Sequence, residues 1–178
     1  YASVWNKGHL VTSADVAEGN EGIGPLAGDS ITGRYQLPNG VTGYIASTRG
    51  MAGAPSRFGL QIFGSKGVIE FFTGYLTPAF ILRDSSWSPG RSGKGWEKIS
   101  SQGVGVPETQ GGPGLEGGNI AAVHDLISCF DTDAQPKCSM YDARYTIEMI
   151  SAIFESHRQG KPVTFPLENR DNPLKSLA

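Results

Sequence analysis

The chain has 178 residues, a length that suits one domain with its own core. Its 15 Lys and Arg are scattered among 17 Asp and Glu for a formal net charge of -2, so no basic stripe meets phosphates and no nucleic-acid partner is expected. No apolar run approaches the roughly 20 residues of a membrane-spanning helix, so a soluble protein without a membrane partner is expected, the cytoplasm being the favoured compartment.

Tyr1 stands where a Met would open a gene product, which suggests a trimmed or processed chain. Tyr1 to Trp5 reads as a short strand, and His9 follows in a loop without an identifiable partner. The chain is then Gly-rich from Glu18 to Gly28. Its Gly19-Asn20-Glu21-Gly22-Ile23-Gly24 run has the glycines in the wrong order for a dinucleotide turn, lacks a preceding apolar strand and meets Pro25, which predicts a loop. Two hairpins come next. Ser30 to Leu37 and Val41 to Arg49 flank Pro38-Asn39-Gly40, where Asn-Gly supplies the positive φ values of a tight turn, and Phe58 to Phe63 and Val68 to Phe72 flank Gly64-Ser65-Lys66-Gly67.

Arg49 and Arg57 bracket the connection between these hairpins. Arginines gathered at strand ends suit an anionic substrate group or cofactor phosphates; ordinary surface ion pairs are the alternative. Further strands are expected at Ala79 to Arg83 and Trp96 to Ile99. The Gly-rich region from Ser85 to Gly118 holds Trp87, Pro89, Arg91, Lys94 and Trp96. Aromatic faces beside cationic donors fit a polyol or sugar acid, because rings cover C–H surface while cations bond carboxylate or hydroxyl oxygens. A solvated loop packed on a neighbouring subunit or domain is the other reading.

Two helices follow. The first is expected to start at the cap Asn119 and to bury Ile120, Val123, Ile127 and Phe130. His124 and Asp125 are neighbours on it and point about 100° apart, so they form no acid–base pair, and His124 is expected to be packed or capped. Cys129 and Cys138 flank the connection to the second helix; two reduced thiols are expected, a disulfide is conceivable, and no zinc site is suggested. Ser139 and Asp142 form a capping box, Gly160 and Pro162 stop the helix, and Ala143, Ile147, Ile150, Phe154 and His157 share one arc as its expected buried stripe. Val163-Thr164-Phe165-Pro166-Leu167 reads as an edge strand.

Strands first and helices afterwards predict an α+β fold, a mostly antiparallel β-sheet with two C-terminal helices packed on one face. On the other face Gln36, Thr42, Tyr44, Thr48 and Gln61 mix with Ile and Phe, a composition for a partly wet surface or a subunit interface. Signatures of serine hydrolases, zinc proteases and P-loop nucleotidases are missing.

Three runs together carry a family resemblance: Asn119-x-x-Ala122-x-x-Asp125-x-Ile127, Ser139-x-x-Asp142-Ala143-x-x-x-Ile147, and Ile153-x-x-Ser156-x-x-x-Gly160-Lys161-Pro162-Val163. With Asp29 to Arg49 and the Phe58 to Glu70 hairpin, they resemble the C-terminal domain of the Gfo/Idh/MocA oxidoreductases, relatives of glucose-fructose oxidoreductase and inositol dehydrogenase. The resemblance implies that residues 1–178 form one substrate-binding and oligomerisation domain. NAD or NADP would be bound by an N-terminal Rossmann domain that this chain lacks. It further implies a sugar, polyol or related substrate and a homo-oligomer, dimer or tetramer, joined through the sheet. The family's Glu-Lys-Pro and Asp-x-x-x-His segments have no counterpart, so no catalytic residue is assigned and the chain alone is not expected to turn over. Arg49, Arg57, Trp87, Arg91 and Trp96 are the candidate substrate-binding residues. A free-standing binding or assembly module without redox chemistry is the alternative function.

Overall fold

A computed structural model describes residues 1–49, 59–72, 74, 76–110 and 115–177. In chain order the strands are β1 Ala2–Asn6, β2 His9–Leu10, β3 Ala17–Glu18, β4 Pro25–Leu26, β5 Ser30–Gln36, β6 Thr42–Thr48, β7 Gly59–Gly64, β8 Gly67–Phe72, β9 Ala79–Leu82, β10 Trp96–Ser100 and β11 Gly103–Val104. The helices are α1 Pro89–Ser92, α2 Leu115–Thr132 and α3 Met140–Gln159. The class is α+β, and every strand pair among the described residues is antiparallel. The chain divides into two compact units, Tyr1–Met51 with Cys138–Ala178, and Ala52–Lys137. No described helix is long and apolar enough to cross a membrane.

The first unit holds a four-stranded sheet in the order β2-β1-β5-β6, with β3 and β4 paired beside it. The β5–β6 hairpin forms as its turn residues require: Asn39 and Gly40 both take positive φ, 60° and 77°. Alternation then sends Ala2, Val4, Ile31 and Tyr35 to one face, where Ile153 and Phe154 of α3 meet them in the core. Full burial of side chains such as Val4 and Ile153 contributes about 1.5–3 kcal/mol each.

How α3 sits on β1 is decided by two polar side chains. β2 flanks only Trp5 and Asn6, so the amides of Ala2 and Val4 that turn away from β5 have no strand beside them. Ser156 Oγ accepts the Ala2 N–H at 3.0 Å, and His157 Nδ1 accepts the Val4 N–H at 3.3 Å. Ser156 donates in turn to the Lys161 carbonyl, and His157 Nε2 donates to the Val11 carbonyl. This bonding keeps Phe154 and His157 of the expected stripe in place and corrects the rest. The buried residues of α3 are Glu148, Ala152, Ile153, Glu155 and Ser156, while Ala143, Ile147 and Ile150 are exposed. Small side chains at 152 and 156 let the helix lie close to β1, which turns the bulkier Ile147 and Ile150 outward. The Ser139–Asp142 capping box and the left-handed Gly160 stop form as expected.

Val163 to Leu167 is not a strand. Pro162 and Pro166 remove two of the donors a ladder would use, and the Leu167 N–H instead donates to the buried Glu148 carboxylate at 2.7 Å.

The second unit is a meander in the order β7-β8-β9-β10-β11. Its register aligns Phe63, Val68, Leu82 and Trp96 across four strands on one face, and Ile62, Ile69, Ile81 and Glu97 on the other. Val68 and Leu82 are buried, at 3% and 1% exposure. Helix α2 corrects two expectations. It begins at Leu115, ahead of Asn119, and Ile120, Val123, Ile127 and Phe130 are exposed, Phe130 at 87%. Its His124 is likewise exposed and not packed.

Candidate functional site

The loop after β9 is built around one carboxylate. Asp84 is buried and accepts four hydrogen bonds, from the Ser86 amide and hydroxyl, the Ser88 amide and the Ser92 hydroxyl. These donors, led by the Ser92 and Ser86 hydroxyls, pull its pKa from 3.8 down to about 2. Asp-x-Ser-x-Ser favours such a turn because a short acidic side chain reaches the amides two and four residues on. The single turn of α1 follows, closed by Gly93 in the left-handed region.

This loop presents Trp87 at a left-handed φ of 55°. Its indole N–H donates to the Gly64 carbonyl at 2.8 Å, and its ring meets Phe63 with centroids 5.3 Å apart. Trp87 therefore stands at the Phe63 end of the cross-strand row, and Trp96 stands at the other end, opposite Leu82. Three strand spacings, roughly 14 Å, separate Phe63 from Trp96. Both tryptophans are about half exposed, at 51% and 43%, which leaves part of each ring open to solvent.

Cations lie along the same loop. Arg91 is exposed on α1 and has no carboxylate within 4 Å among the described residues. The Lys94 ammonium donates to the Arg83 carbonyl at 3.0 Å, and Arg83 pairs with Glu97. Trp87, Arg91 and Trp96 all belong to the second unit. Arg49 belongs to the first unit, just past β6, where its amide donates to the Asp29 carbonyl at 2.7 Å. Arg57 lies outside the described residues.

Sequence reasoning did not single out Phe63 and Asp84. The alternation of β7 with the Asp84-x-Ser86 turn pattern was the available signal. It also left His9 without a partner, yet His9 Nε2 lies 3.0 Å from Asp15 Oδ1. Asp15 accepts as well from Asn6 Nδ2 and from the Thr12 amide and hydroxyl. The Thr12 amide leads the donors that hold its carboxyl well below the usual range.

The geometry of the Gly19–Gly24 segment does not fit a dinucleotide. Gly19 donates its amide to the Gly24 carbonyl, and the residues between form a tight turn joining the paired strands β3 and β4. A pyrophosphate cradle needs free amides at the start of a long helix, and this turn opens none. The Cys129 and Cys138 thiols are free.

Residues 8–165 match the family model described as oxidoreductase family, C-terminal alpha/beta domain, the C-terminal domain of the Gfo/Idh/MocA group. No curated protein and no solved structure matches the chain.

Proposed function

Because the chain belongs to the Gfo/Idh/MocA oxidoreductase family as its C-terminal domain, we propose that it supplies the substrate wall of an NAD(P)-dependent oxidoreductase acting on a sugar, polyol or related metabolite. The nucleotide would be held by a separate Rossmann domain, since the Gly19–Gly24 turn of this chain spends its geometry on closing β3 to β4. One observation carries the substrate reading: Trp87 and Trp96 stand at the two ends of one cross-strand row, with the exposed Arg91 and with Lys94 in the loop between them in sequence. Indole faces stack on C–H surface, and the guanidinium can bond hydroxyl or carboxylate oxygens in pairs. Arg49, and Arg57 by its place in the sequence, would serve an anionic group of substrate or cofactor from the strand ends. Assembly as a dimer or tetramer through a sheet face is part of the same reading, supported by the apolar face that carries Leu60, Ile62, Ile69 and Phe71.

Titration of the chain with gluconate and with myo-inositol, followed by tryptophan emission, tests the substrate reading. The expected result is a saturable change that weakens by about tenfold in Trp96→Ala, the scale of losing one well-formed contact. Saturable binding of NADH with no response to either polyol would overturn it.

A further inference from the structure

A cavity wholly within the first unit, about 470 Å³ in volume, lies between the end of β5, the first turns of α3 and the 165–166 segment. Tyr35, Tyr145 and Phe165 give it three aromatic walls, and Leu37 and Met149 complete the apolar lining. Tyr35 and Phe165 meet with centroids 6.3 Å apart, and the Tyr35 hydroxyl is spent on the Met149 carbonyl at 2.8 Å. The walls thus offer ring faces more than hydroxyls.

Arg144 and Glu148 also border the space. They stand one helical turn apart, close enough to pair, yet they do not. Glu148 is buried and already accepts from the Leu167 amide and the Arg170 guanidinium. Arg144 rests over the Tyr145 ring, with the guanidinium carbon 5.1 Å from the centroid, and no carboxylate lies within 4 Å of it among the described residues. Glu148 is neutralised by its partner, so the cavity keeps one uncommitted positive charge. A guanidinium held over a ring by its charge keeps N–H donors for a bidentate acceptor.

We propose that this cavity binds a small aromatic carboxylate, its ring between Tyr35, Tyr145 and Phe165 and its acid group on Arg144. The volume falls within the roughly 300–1,000 Å³ of small-molecule sites and admits a one- or two-ring acid. The inference does not rest on the substrate reading above, because the two share no residue.

The test is calorimetric titration of the chain with 2-naphthoate and with its uncharged isostere 2-naphthamide, each repeated on Arg144→Gln. The proposal expects saturable binding of the acid, at least about tenfold weaker binding of the amide, and a similar loss for the acid in Arg144→Gln, as removal of a charge-assisted bond requires. Absence of saturable binding, equal binding of acid and amide, or an Arg144→Gln variant that holds the acid unchanged would each overturn it. Arg144 is exposed, and thermal unfolding confirms that the variant is folded. If it is not, the acid–amide comparison on the unaltered chain decides.

Discussion

Ser156 shows how one hydroxyl fixes the placement of a helix. It is 1% exposed, accepts from the Ala2 amide and donates to the Lys161 carbonyl, so both groups lose their partner if the hydroxyl goes. Leaving a buried donor unsatisfied costs about 1–3 kcal/mol. Ser156→Ala is therefore expected to lower stability by about that amount in urea titration, and a loss below about 0.5 kcal/mol would mean that water replaces the hydroxyl. The serine was visible in the sequence only as one position of a family pattern. Periodicity favoured Ala143, Ile147, Ile150, Phe154 and His157 as the contact line; Phe154 and His157 do meet the core and β1, but the line misses Ser156, because periodicity weighs apolar size and gives a small polar side chain no place in it.

At the scale of elements, the β9–β10 connection depends on a proton. The carboxyl of Asp84, at about 2 in the fold, ordinarily titrates near 3.8. A depressed pKa contributes stability that is complete above the unfolded value and disappears as pH falls through the folded one. The Ser86–Ser92 turn should therefore loosen as pH falls from about 4 to 2, and the indole N–H resonance of Trp87, bonded to Gly64, reports it. Asp84→Asn should show near pH 7 the spectrum that the unaltered chain reaches only in acid. An indole signal that stays put across that range would remove the carboxylate from its organising role. Glu108, drawn down to about 2 chiefly by the Ser101 hydroxyl, sets up the same dependence in the loop after β11.

Both hairpins were legible because Asn39-Gly40 and Gly64 to Gly67 permit little besides a tight reversal. The start of α2 was not, since Gly117 and Gly118 argue against helix yet lie inside it. The 163–167 segment misled for a related reason: its β-branched and aromatic residues suit a strand, but a strand exists only where a neighbour can use its amides. Of the candidate site, the tryptophans could be read from composition. Their arrangement through Phe63 depends on cross-strand register, which no local pattern states.

For the molecule as a whole, the exposed aliphatic residues of β7 and β8 have the clearest bearing on behaviour in solution. Ile62 and Ile69 face each other across the register, at 49% and 37% exposure, with Leu60 and Phe71 on the same face. Apolar surface of this kind suits the association proposed above. Light scattering is expected to find a dimer or tetramer that Ile62→Lys with Ile69→Lys converts to monomers. A monomeric unaltered chain, or an oligomer indifferent to the paired lysines, would move the interface elsewhere.

The bond between Ala2 and Ser156 spans 154 positions, and it closes a unit whose two pieces are separated by the continuous stretch Ala52–Lys137. A ribosome delivers that intervening stretch ahead of α3, so its meander can form while residues 1–51 still wait for a helix that has not been made. Loop closure over such a separation carries an entropy that local hairpins do not face. Newly made chains should thus spend an interval with the Ala2 and Val4 amides of β1 still without α3, the interval in which a chaperone has the most to protect.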